Sequence, residues 1–82
     1  MTPAFPEDLK FVRLADLPRR ARAVVVGHGT DGATAERLSA LGLGLGASFT
    51  VVQSGTRPTV QVGEARIGLG PELAGAVRAL AR

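Results

Sequence analysis

His28 is the chain's single histidine, and two carboxylates, Asp31 and Glu36, follow it closely. Imidazole and carboxylate together ligate Zn2+ or Fe2+, but a closed structural site takes four ligands. One copy supplies one imidazole and, with no cysteine in the chain, no thiolate. A metal shared by two copies, each giving His28 with Asp31 or Glu36, asks less of each chain. Otherwise His28, set between Gly27 and Gly29, reads as an exposed loop histidine or as a dedicated iron sensor. No residue pattern requires a cofactor.

The glycines at 42, 44 and 46 invite a phosphate-loop reading, which fails on order. A phosphate loop follows a strand and opens a helix, so that helix N-terminal amides meet the anion. Here the glycines follow a helical pattern and open a strand pattern, and no Gly-Lys-Ser/Thr is present. They suit positive φ angles and close backbone packing. Leu43 and Leu45 lie among them. Either one or both plug the end of the core, or one is exposed and docks on a partner.

Catalysis lacks its parts. There is no cysteine nucleophile, and no serine stands beside the histidine on a strained turn. Carboxylate pairs exist in principle (Asp31 with Glu36, Glu64 with Glu72), but 82 residues leave little room for a deep pocket. An enzyme is not expected. The net charge of +3 comes from nine arginines and one lysine against seven acids. The densest basic group, Arg19, Arg20 and Arg22, reads as a solvated turn flank or as a contact for an acidic partner or lipid headgroups. Nucleic-acid binding by a small basic barrel is an alternative, weakened by the absence of Trp and Tyr, on which single strands stack.

The elements that hold these residues are short. The first residues, 1–8, read as a flexible tail, and 9–82 as one domain. Leu9 to Arg13 suits an edge strand. Leu14 and Leu17 suit one side of a helical turn ended by Pro18. Ala23 to Val26 reads as a buried strand, and Gly27 to Gly32 as a loop. Ala33 to Leu41 is the convincing helix, with Ala35, Leu38 and Leu41 on one face and Gly42 at the left-handed position after it. Ala47 to Gln53 alternates as a strand. Thr59 to Val62 and Ala65 to Leu69 make a hairpin about Gly63-Glu64. Pro71 to Ala74 suits one helical turn, and Ala76 to Leu80 a closing strand.

The class is therefore mainly β: a small SH3-like barrel of about five strands, with one inserted α-helix and short helical turns. A closed barrel is the simplest way for so few residues to hide their strand edges. No apolar run approaches the ~20 residues that span a bilayer, and the start lacks signal-peptide features. Absence of cysteine fits a reducing compartment. The expectation is a cytoplasmic protein that meets a membrane only through a partner.

Several residues together resemble the FeoA family. They are Leu14 and Leu17; Ala23 to Val26; Arg37, Leu38, Leu41 and Gly42; Gly46; Gly63; Ile67 and Leu69; and Glu72, Leu73 and Ala74. The order and spacing of these pieces carry the resemblance from about Phe11 to Leu80. Two positions depart from the family pattern: Leu45 stands where a proline is usual, and Gly70 where a basic residue is common. The resemblance implies an accessory protein of ferrous iron uptake. It would regulate or assemble the membrane transporter FeoB, through contacts that include the transporter's GTPase domain. The same module closes iron-dependent repressors, but this chain carries no winged-helix region. The expected partner surface is Arg37, Leu43, Gly44 and Leu45. The expected metal ligands, shared between copies of a homodimer binding Zn2+ or Fe2+, are His28, Asp31 and Glu36.

Overall fold

The computed structural model describes residues 11–29 and 32–82. The expected tail, 1–8, and Asp31 lie outside the described residues. Six strands form one antiparallel sheet, against the expected number of about five. They are β1 (Phe11–Arg13), β2 (Arg22–His28), β3 (Ser48–Gln53), β4 (Thr59–Val62), β5 (Ala65–Gly68) and β6 (Val77–Ala81). The ladder runs β1-β6-β2-β3-β4-β5. The last strand thus inserts between the first two. The result is an SH3-like barrel whose hydrogen-bonded ladder ends at β1 and β5.

Alternation explains the core. Ala23, Val25, Phe49, Val51, Val60, Val77 and Ala79 are buried from successive strands, while Arg22, Ser48 and Arg78 point outward. Side chains along a strand alternate faces, so a period of two selects one inward row. One end of the barrel is plugged locally. The 3-10 turn Leu14–Asp16 buries Leu14, and helix α2 (Pro71–Ala76) buries Ala74 and Ala76. Proline opens α2, where its missing N–H costs nothing. This helix is longer than the single turn expected, and β6 begins one residue later than expected.

Two departures matter for the site. Strand β2 continues through Gly27 and His28, residues that read as loop. It does so by a bulge: Val25 faces Ala79, but Gly27 faces Arg78, leaving Val26 as the extra residue. A bulge turns its residue out of the ladder, and Val26 is 39% exposed rather than buried. Helix α1 (Gly32–Ala40) buries Thr34 and Leu38, whereas Leu41, expected on the buried face, lies past its end and is exposed.

Candidate functional site

The loop from Leu41 to Ala47 is built by two consecutive devices. At the end of α1 the amide of Leu43 donates to the Leu38 carbonyl (2.9 Å) and that of Gly42 to the Ser39 carbonyl (3.0 Å). This is a Schellman cap, and it needs a left-handed residue that glycine supplies without steric cost; Gly42 has φ +92°. The cap's usual apolar contact joins the residue after the glycine to the third-last helical residue. Those residues are Leu43 and Leu38, both 0% exposed.

A second turn follows. Ala47 N–H donates to Gly44 O (3.0 Å), and Gly46, with φ +87°, takes the positive-φ position of a type II turn. Leu45 is left at its tip, 69% exposed. The turn is tied to β2 by Gly46 N–H to Val25 O and by Val25 N–H to Ala47 O, each 2.8 Å. Gly44 lies close to α1, where an added Cβ would stand 3.3 Å from Ser39 Oγ.

His28 holds the same loop from below. Its Nε2 lies 2.9 Å from the Leu43 carbonyl. A carbonyl only accepts, so Nε2 carries the proton and Nδ1 keeps the free lone pair. The histidine is half-buried, not the exposed loop residue expected. Glu36 is exposed on α1. Among the described residues no three His, Cys, Asp or Glu groups stand close enough to hold a metal ion.

Of the expected partner residues, Leu45 and Arg37 are exposed, and the Arg37 side chain has no ion pair among the described residues. Leu43 is corrected: its side chain belongs to the core and offers nothing to a partner. Val26, expected to be buried, is exposed at the bulge next to Val25, whose backbone seats the turn that carries Leu45. A glycine after a β-branched run signals a bulge, so Gly27 was the available clue.

The family model of the FeoA domain matches residues 12–79, most of the chain. This chain belongs to the FeoA family. Solved structures agree. An iron uptake regulatory protein (FeoA) is 27% identical, with 90% of this chain and 100% of that one covered at a TM-score of 0.83. The FeoA of Stenotrophomonas maltophilia, solved with zinc and described as an SH3-domain protein, is 31% identical over 83% of this chain and 88% of that one (TM-score 0.71). A manganese-dependent transcriptional repressor shares the fold at 15% identity; 90% of this chain covers 43% of it, with a TM-score of 0.80. No curated protein matches the sequence. FeoA proteins are associated with ferrous iron transport. Among the described residues no helix is long and apolar enough to cross a membrane.

Proposed function

We propose that this FeoA-family protein acts in the cytoplasm as a non-catalytic accessory of ferrous iron uptake, binding the cytoplasmic side of the transporter FeoB. Family membership across residues 12–79 supports the transport role. The Stenotrophomonas maltophilia relative is described as a candidate activating factor for bacterial ferrous iron transport. The observation that carries the surface is Leu45, a large apolar side chain held outward on a turn in which Gly46 takes the positive-φ position. Pre-ordering such an anchor lowers the entropy lost on docking. Arg37 on the neighbouring helix supplies charge at the rim, and Val26 widens the apolar contact.

The test is co-purification of full-length FeoB with the wild-type protein and with Leu45→Glu, with and without guanine nucleotide. The wild type is expected to recover FeoB, and the folded variant to lose it. Recovery by neither protein overturns the transporter reading, while equal recovery by both removes the Leu45 turn from the interface.

A second reading has one relative behind it, the zinc complex of the Stenotrophomonas maltophilia protein. In it, a metal joins two copies through His28, whose Nδ1 is the atom left for coordination, together with Glu36 or Asp31. Addition of Zn2+ would then shift the protein from monomer to dimer in sedimentation, and His28→Ala would abolish the shift.

A further inference from the structure

The strand register places three arginines in one line. Arg22 faces Thr50, Thr50 faces Gln61, and Gln61 faces Arg66. On the other side of β2, Arg82 N–H donates to Arg22 O (2.8 Å), continuing the register in which Ala23 faces Ala81. Directly opposed residues of antiparallel strands share a face. Arg82, just past the end of β6, therefore continues a single outward row with Arg22, Thr50, Gln61 and Arg66 on β2 to β5. Arg22, Ser48, Thr50, Gln61 and Arg82 also line an open cleft of about 340 Å³.

One feature sets this row apart from a scatter of surface charge, and another marks the turn that leads into it. Like charges directly opposed on a sheet are unfavourable, yet Arg22 and Arg82 are opposed, and none of the three arginine side chains has an ion pair among the described residues. Two residues before Arg22, Arg20 holds φ +75° at the position of the Pro18–Ala21 turn where glycine is normal. A cationic side chain thus stands where backbone geometry favours none.

We propose that this face binds an acidic, extended segment of a partner protein. Strands lie about 4.8 Å apart, so Arg22 and Arg66, three strand spacings apart, are separated by about 14 Å along the sheet surface; an extended chain spans about the same distance from residue i to i+4. Carboxylates at that spacing reach both arginines, and guanidinium takes carboxylate in a bidentate fork. Thr50 and Gln61, between them, offer neutral donors and acceptors to the peptide backbone. Nucleic acid is disfavoured because the row has no aromatic side chain for bases to stack on. The proposal names a surface apart from Leu45 and does not depend on the identity of the transporter.

The test is fluorescence anisotropy with the full chain and a labelled dodecapeptide of alternating Glu and Ser. Binding is expected to be saturable, and to weaken as salt rises because exposed charges are screened. Arg22→Glu with Arg66→Glu should weaken it by about tenfold or more, and the neutral pair Arg22→Gln with Arg66→Gln by less, in the same direction. Arg57→Glu, in the β3–β4 loop, should leave it within about twofold. No saturable binding, binding indifferent to the row variants, or binding unmoved by salt overturns the proposal. So does a row-dependent preference for a thymidine oligonucleotide of equal charge or for phosphatidylserine vesicles.

Discussion

Leu43 and Leu45 leave one loop in opposite directions because each is governed by a different backbone device. Leu43 follows the capping glycine and must meet Leu38, so the helix end itself carries it into the core. Leu45 occupies the first central position of the Gly44–Ala47 turn, whose bonds to Val25 hold it outward at 69% exposed. The energetic consequences differ accordingly. Leu43→Ala should cost about 2–5 kcal/mol, the range for emptying a fully buried leucine site. Leu45→Ala should stay within about 0.5 kcal/mol of wild type. Urea unfolding of both variants, followed by circular dichroism, checks the contrast. Equal losses would place Leu45 in the core and remove it from the docking surface. His28→Ala should cost about 1–2 kcal/mol, because the Leu43 carbonyl loses its side-chain donor in a half-buried position.

At the scale of elements, glycine positions separate by φ. Gly42→Ala puts a Cβ on a residue at φ +92° and should destabilise by about 1 kcal/mol or more. Gly75→Ala does the reverse. Gly75 lies inside α2 with ordinary φ and open space at the Cβ position, so the helix should gain about 0.5–1 kcal/mol. Arg20→Gly relaxes the turn before β2 and should likewise raise the unfolding midpoint. Thermal melts of the three variants check the signs, and a stabilised Gly42→Ala would contradict the capping geometry. The same elements show what was readable in the sequence. The capping residue Gly42 was legible because glycine after an apolar helix end has few other meanings, whereas the burial of Leu43 against Leu38 was left open. The hairpin was legible for the same reason, with Gly63 at φ +59° between Val62 and its partner Ala65. The extension of β2 through Gly27 and His28 was not legible, because both residues are local turn formers and only pairing with Arg78 and Val77 keeps them extended. Nor was the outward placement of Leu45 legible, since its turn is seated by bonds to Val25, far away in sequence.

The described residues share one core: β6 lies between β1 and β2, and the Leu14 turn meets α2. Loss of β1 or β6 is therefore felt throughout the sheet. Stability of about 0.05–0.15 kcal/mol per residue gives a chain of 82 residues about 4–12 kcal/mol in total. Leu14 is 0% exposed, and Leu14→Ala should remove about 2–5 kcal/mol of that. The loss should lower a single cooperative transition instead of splitting off the N-terminal turn, because the buried leucine contacts the same cluster that β6 and α2 complete. With no Trp or Tyr to report tertiary packing, the check is to follow unfolding by far-UV circular dichroism and by amide resonances of β1, β3 and α2. Coincident midpoints in the variant are expected. A turn and β1 that melt ahead of β3 would show that the sheet's edge folds independently. Partner binding could then be modulated there without disturbing the Leu45 turn, which is anchored on β2.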